Sequence, residues 1–315
     1  MAMRLVTVFG GSGFVGRHTV RRLAERGWRV RVATRDVEDA AHLKLMGEVG
    51  QVVPVGASVR SDADVAAAVA GADAVVNLVG VLHESGEQTF GALHAVAPGR
   101  IAKACAEAGI RRFVHVSAIG ADAESPAVYA RSKAAGEHFA RQAYPGTTIL
   151  RPSVIFGPED GFLNRFGALA RLLWVLPLIG GGDNRFQPIY VGDVAEAVAR
   201  ALDNPKTAGQ TYELGGPRVY SMREVFELVC RETGRDRPLV PIPVGIAKFE
   251  AFFLGLLPAP LLTVDQVKML ERDNICGLGV PGLADLGIQP TPMEAHAPAI
   301  LGRYRRPGRD IAATA

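Results

Sequence analysis

The apolar run Val6-Thr7-Val8-Phe9 leads straight into glycines at 10, 13 and 16, and a helical pattern follows from Arg17 to Arg26. Strand, glycine turn and helix start in this order constrain the fold more than any other feature of the chain. The arrangement presents free backbone N–H groups and the positive end of a helix to a pyrophosphate. Gly10 permits the turn, Gly13 lets the backbone approach the phosphates, and Gly16 lets the helix pack close to the strand. The expected cradle is therefore Gly10, Gly11, Ser12, Gly13, Phe14, Val15 and Gly16. A second strand at the expected distance, Val30 to Thr34, makes this a dinucleotide site rather than an ordinary strand-to-helix corner.

The end of that second strand bears on which dinucleotide. An acidic residue there binds the two ribose hydroxyls of NAD. Here the strand ends in Thr34 with Arg35 next, a small residue followed by a permanently charged donor fork suited to a 2′-phosphate. NADP(H) is favoured. Asp36 follows, and if it faced the ribose it would favour NAD(H), which stays open.

Strands and helices alternate through the first half. Gln51 to Pro54 reads as a third strand and Ala63 to Ala70 as a helix; Ala74 to Val79 is a continuous apolar strand of the kind buried on both faces. A long helix from Phe90 to Ala108, a strand from Phe113 to Ser117, a helix from Ala127 to Ala143 and a strand from Thr147 to Leu150 complete the series. This predicts an α/β fold, a doubly wound parallel Rossmann-type sheet with a smaller, mostly helical C-terminal domain. The boundaries expected are 1–157 for the nucleotide domain with 187–205 returning to it, 158–302 for the smaller domain, and 303–315 for a basic tail. In this reading Gln187 to Val191 is a late strand rejoining the sheet, Asp193 caps the helix after it, and Ser221-Met-Arg-Glu224 is a capping box.

At 315 residues, with charges interspersed, the chain is long enough to bury a large core. A net charge of +3 makes no case for nucleic acid. Cys105, Cys230 and Cys276 lie far apart without metal-ligand spacing, so they read as reduced thiols in a cytoplasmic-type compartment, and no metal is expected. The first strand begins near Arg4, which leaves no room for a cleaved leader. Two apolar stretches, Leu172 to Ile179 and Ala251 to Leu262, are too short or too broken by proline to span a bilayer. The run from Phe249 to Leu262 either roofs a pocket or, together with Arg303, Arg305, Arg306 and Arg309, offers a membrane-associated partner an apolar and cationic surface. That tail also reads as a solvated chain end.

Tyr129 and Lys133 stand one helical turn apart, on a helix that follows a strand ending in Ser117. A cation beside a phenol stabilises its phenolate and lowers its pKa, and lysine also suits a nicotinamide ribose. In an open parallel sheet, ligands sit beyond the carboxyl ends of the strands, where Ser117 lies. Gly10-Gly-Ser-Gly-Phe-Val-Gly16, Ser117, Tyr129-Ala-Arg-Ser-Lys133, Arg151-Pro-Ser-Val-Ile-Phe-Gly157 and Tyr190-Val-Gly-Asp193 together resemble an extended short-chain dehydrogenase/reductase. More narrowly, the chain resembles the atypical branch that holds the NADPH-binding accessory subunit of mitochondrial respiratory complex I. The carriers are Lys44-Leu-Met-Gly47-Glu-Val-Gly50-Gln, Phe156-Gly-Pro-Glu-Asp160-Gly-Phe-Leu-Asn164, Gln187 to Val191, Thr263 to Lys268 and Leu283 to Pro292.

The resemblance implies roles. Ser117, Tyr129 and Lys133 would be the catalytic set, and Leu78, Val79, Gly80, Pro152, Ser153 and Val154 would join Tyr129 and Lys133 in lining the cofactor. It also implies a respiratory complex I or quinone-module partner, a link to ubiquinone, and a peripheral place on the cytoplasmic face of the inner membrane. Members of that branch hold NADPH as a structural ligand, so Tyr129 and Lys133 read as a catalytic pair or as a cofactor clamp. Two departures from active extended members are the short interval between Ser117 and Tyr129, and Ala57-Ser58-Val59 where an acidic residue is often found.

Overall fold

The computed structural model describes residues 3–255 and 260–306. The first half builds a regular alternation: β1 (Leu5–Phe9), α1 (Phe14–Glu25), β2 (Arg29–Thr34), β3 (Val52–Gly56), α2 (Asp62–Val69), β4 (Ala74–Asn77), α3 (Ala97–Glu107), β5 (Arg112–Val116), α4 (Val128–Ala143) and β6 (Thr148–Pro152). Local chemistry explains several ends. Ser61 caps α2 by accepting the Asp64 N–H. The expected long helix from Phe90 begins instead as a π-turn over Gly91–Val96 before α3, and Gly109 follows α3 with φ +64°.

After Pro152 the chain leaves the sheet. It forms β7 (Ile155–Phe156), α5 (Leu163–Leu172), β8 (Leu176–Ile179), β9 (Arg185–Phe186) and β10 (Ile189–Tyr190), then α6 (Val191–Asp203) and β11 (Thr211–Leu214). β12 (Tyr220–Ser221), α7 (Met222–Thr233), β13 (Leu239–Ile242), α8 (Val244–Leu254), α9 (Val264–Met269) and α10 (Ala297–Leu301) follow. Both halves of the capping box at Ser221 and Glu224 are made.

The main sheet has seven strands in the order β11-β6-β5-β4-β1-β2-β3, and every pair is parallel. Helices α2, α3 and α4 pack together, and α1 packs against α6. The order reverses between β1 and β4, which is where a doubly wound sheet opens its crevice. Residues of β1, β4 and β5 are almost wholly buried, as strands covered on both faces must be.

Two compact units result: Met1–Pro152 with Val191–Leu214 and Gly277–Gln289, and Ser153–Tyr190 with Gly215–Cys276 and Pro290–Ala315. The first crossing falls at Pro152 rather than at 157, because β7 pairs with β10 and not with the sheet. For the same reason Gln187 to Val191 does not rejoin the sheet; the returning strand is β11, which pairs with β6. Asp193 stands inside the first turn of α6 rather than at its cap, still where a carboxylate favours the helix dipole. In α8, Ala247 and Ala251 are buried while Phe249, Phe252 and Phe253 are exposed. The remainder of the apolar run at 256–259, and Arg309 of the tail, lie outside the described residues. Arg303 and Arg305 are docked: Arg303 donates to the Pro158 carbonyl (2.6 Å) and Arg305 to that of Glu232 (3.0 Å).

Candidate functional site

The glycine turn after β1 is fixed by sterics. Gly10 has φ +76°, a region that L side chains rarely adopt, and a Cβ there would stand 3.0 Å from the Leu78 carbonyl carbon and the Val79 nitrogen. The turn therefore lies directly against the end of β4. A Cβ on Gly16 would stand 2.2 Å from the Gly10 oxygen, so α1 packs onto the turn only because residue 16 has no side chain. Gly13 differs: a Cβ there meets only the Gly10 oxygen, at an ordinary 3.4 Å. Nothing in the protein requires glycine at 13. The open space above this exposed residue fits a phosphate, and the N-terminus of α1 has no side-chain cap and no acid in its first turn. Ser12, Phe14 and Val15 are half-buried around it, and Gly11 is buried.

At the end of β2, Thr34 is half-buried and Arg35 exposed. The Asp36 carboxylate is already used. Its Oδ1 accepts the backbone N–H groups of Glu38 (2.9 Å) and Asp39 (3.1 Å), which closes the turn after the strand.

The other end of the crevice is made of buried side chains at the carboxyl ends of β4 and β5. Lys133 is buried on α4 and its Nζ donates to the Val116 carbonyl at 3.4 Å. Burial holds its pKa down to about 8, against the opposing pull of the Glu137 carboxylate. Tyr129 lies one turn earlier, its ring centroid 5.9 Å from the Lys133 Nζ. Lys133 does not lower the phenol: burial prevails and pushes its pKa up to about 12. Ser117 Oγ is buried with no hydrogen-bond partner. An orphaned hydroxyl at a strand's carboxyl end is a group that a bound polar molecule satisfies.

Two histidines complete this end. His94, on the π-turn, accepts the Val81 N–H at Nε2 (2.9 Å), which places its ring proton on Nδ1, 3.1 Å from Ser132 Oγ. Ser132 in turn donates to the Tyr129 carbonyl (2.7 Å). The His94 ring stacks on Phe90 and meets Tyr129 edge-on, with centroids 5.2 Å apart in both pairs. Gly136 makes this approach possible, since a Cβ there would stand 1.9 Å from the His94 oxygen. His115, on β5, is fully buried beside Asn77 (3.2 Å), with its Nε2 unpartnered. Burial first, and then the Lys133 ammonium, hold both histidines down to about 3, so both are neutral. Behind them Glu137 takes a two-pronged ion pair from Arg151 (2.9 and 2.7 Å), and Glu213 lies 3.5 Å from the same guanidinium.

The structure thus brings Ser117, Tyr129 and Lys133 to one end of the first unit. A Cβ built on Gly80 would stand 3.4 Å from the Lys133 Nζ, which places Gly80 beside that end, while Leu78 and Val79 adjoin the glycine turn. Pro152 ends β6. Ser153 and Val154 belong to the second unit, where Asn274 engages the Ser153 hydroxyl (2.7 Å) and the Val154 N–H (3.1 Å). His94, His115 and Gly136 were missed from sequence. A π-turn next to a Tyr-Lys helix is a structural signal with no local sequence mark.

The chain is 37% identical over 322 residues to the mitochondrial NADH dehydrogenase (ubiquinone) 1 alpha subcomplex subunit 9 of Arabidopsis thaliana, covering 98% of this chain and 80% of that one. It is 36% identical to the protein of the same name from Rattus norvegicus, covering 96% and 80%. An NADPH-dependent quinone oxidoreductase from Escherichia coli, solved with NADPH, shares the fold at a TM-score of 0.74 and 17% identity, covering 95% of this chain and 99% of that one. Residues 6–215 match the family model described as NAD dependent epimerase/dehydratase, and the chain belongs to that family.

Proposed function

We propose that the protein binds NADP(H) as a mainly structural ligand and serves as an accessory subunit of a quinone-reducing respiratory complex, the assembly named in its mitochondrial relatives. The observation that carries the structural-ligand reading is the suppressed ionisation around Tyr129. A phenol raised to about 12 beside a neutral histidine is a poor proton shuttle at neutral pH, while Lys133, lowered to about 8 and still largely charged at pH 7, suits a clamp on the ribose hydroxyls. Gly10 to Gly16 and the N-terminus of α1 would hold the pyrophosphate, and Tyr129 and Lys133 the nicotinamide ribose. Ser117 would hydrogen-bond the polar group at the nicotinamide end. The bound dinucleotide supplies hydride-transfer capacity, and this chain's residues hold and orient it.

The engaged Asp36 and the exposed Arg35 support NADP(H) over NAD(H): the one acid near the ribose is closing a turn, and the neighbouring cation is available. Among the described residues no helix is long and apolar enough to cross a membrane, so a subunit of this kind would attach to its complex from the side.

The test is to purify the protein without added nucleotide and identify what accompanies it by mass spectrometry. NADP(H) retained through extended dialysis, and not oxidised when quinones or apolar carbonyl compounds are added, is the expected result. Rapid loss of the nucleotide on dialysis, with multiple turnovers on such a compound, would replace this reading with that of a true reductase.

A further inference from the structure

The second unit carries an arginine cluster that the dinucleotide site does not use. Arg171 ends α5, Arg235 and Arg237 lie between α7 and β13, and Arg306 follows α10. Arg237, Arg306 and Arg171 all lie within electrostatic reach of Arg235, whose pKa is held down by burial first and then by these three cations. Among the described residues none of the four is paired with a carboxylate. Arg235 donates to the Tyr304 carbonyl (3.2 Å) and Arg237 to that of Ala170 (3.0 Å). Among the described residues Arg171 and Arg306 enter no ion pair. Glu232 is taken by Arg231 and Arg305, and the exposed Asp236 enters no ion pair among the described residues.

Large apolar side chains stand exposed beside these cations. Trp174 is 82% exposed, and the Arg237 guanidinium carbon lies 5.5 Å from its ring centroid. Leu172 is 76% exposed, and Val175 and Val240, on the connection into β8 and on β13, are also open. The exposed Phe249, Phe252 and Phe253 of α8 add to the apolar surface of the same unit. Burying an indole and a leucine elsewhere in the core would stabilise the fold, so their exposure at a rim of unneutralised charge calls for an external partner.

We propose that this face docks on an anionic phospholipid surface, with Trp174 and Leu172 entering the headgroup–acyl boundary and Arg171, Arg237 and Arg306 meeting lipid phosphates. Charge alone fits any anion, and exposed apolar area alone fits any protein. An indole flanked by arginines that lack carboxylate partners fits the wet-to-apolar boundary of a bilayer, where tryptophan sits at headgroup depth and each nearby cation gains from the negative surface potential. The assignment does not depend on the cofactor reading.

The full-length protein is tested by co-sedimentation with equimolar phosphatidylcholine–phosphatidylglycerol vesicles and with phosphatidylcholine vesicles alone. Binding to the mixed vesicles, weak binding to the neutral ones, and release as salt is raised are expected. Arg171→Ala with Arg306→Ala removes two cations that make no hydrogen bond or ion pair among the described residues and should weaken binding about 25-fold, roughly fivefold for each. Trp174→Ser should weaken it further. The Tm of each variant, measured without nucleotide, should match that of the parent, which separates loss of docking from loss of fold. Equal binding to both vesicle types, or unchanged binding by the double variant, would overturn the proposal. So would a protein that ignores vesicles while the double variant weakens its hold on the respiratory complex; that outcome would assign the face to an acidic protein partner.

Discussion

At the glycine turn the dinucleotide site is made of backbone and of missing side chains, whereas at the carboxyl end of β5 it is made of buried titratable groups. The first end works by excluding atoms. A single Cβ at residue 16 would collide with the turn, and one at residue 13 would fill space the protein leaves open. The second end works by suppressing charge: Lys133, His94 and His115 are all pushed toward their neutral forms and Tyr129 is held protonated. The first end therefore tolerates changes of pH and fails on changes of volume, whereas the second, which also depends on the missing side chain of Gly136, is the one that responds to pH.

The sharpest way to break this contrast is Gly13→Val. Its Cβ has room in the protein, so the nucleotide-free fold should hold to within about 1 kcal/mol. The stabilisation by NADPH, about 4 kcal/mol at a thousand times Kd for the parent, should disappear from the thermal melt. A full shift in the variant would place the pyrophosphate elsewhere. Gly16→Ala should behave in the opposite way, losing about 3 kcal/mol in denaturant titrations even without nucleotide, because its Cβ meets the Gly10 oxygen at 2.2 Å. An unchanged midpoint would show that α1 can move off the turn without penalty.

The charge-suppressed end is probed with acid. His94 and His115 are lowered to about 3, so between pH 6.5 and 3 the unfolded chain binds protons that the folded chain refuses. Stability should fall as pH drops through that window, by about 2 kcal/mol per histidine at pH 5. His94→Gln should flatten this slope by its share, and an identical slope would mean that His94 is accessible and titrates normally. The smallest effect expected is at Arg35. Arg35→Ala should weaken NADPH by about 1.5 kcal/mol and leave NADH nearly unchanged, as measured by direct titration, since an exposed charge-assisted contact lies at the low end of its range. Equal weakening of both would remove Arg35 as a reader of the 2′-phosphate.

The same contrast explains what was legible in sequence. The glycine turn, and the pairing of Tyr129 with Lys133 on one helix face, are local in the chain, so spacing alone exposes them. Ser117 followed from being the end of an apolar strand. His94 and His115 had no such mark: each is a lone histidine in an apolar segment, and only a π-turn held against Gly136 brings His94 to Tyr129. Pairing partners were likewise invisible. Gln187 to Val191 and Thr211 to Leu214 are both short and apolar, and tertiary contact decided that the second, not the first, completes the sheet. The four arginines of the cluster come from three segments far apart in sequence.

The position of α6 also sets an order of events during synthesis. This helix buries valines, alanines and Leu202 along most of its surface, packing on α1 and on the β5–β6 side of the sheet. Glu196 ties it to Arg26 across 170 residues of chain. A nascent polypeptide that has emerged through Pro152 thus holds six of the seven strands, with the face of the sheet that α1 and α6 share covered by α1 alone. Roughly fifty more residues must follow before Asp203 appears, about 3–10 s at ordinary ribosomal rates. For that interval the apolar surface awaiting α6 is exposed to any other chain, so truncations ending between 152 and 203 should be captured by holding chaperones, and those ending beyond Leu214 should escape them.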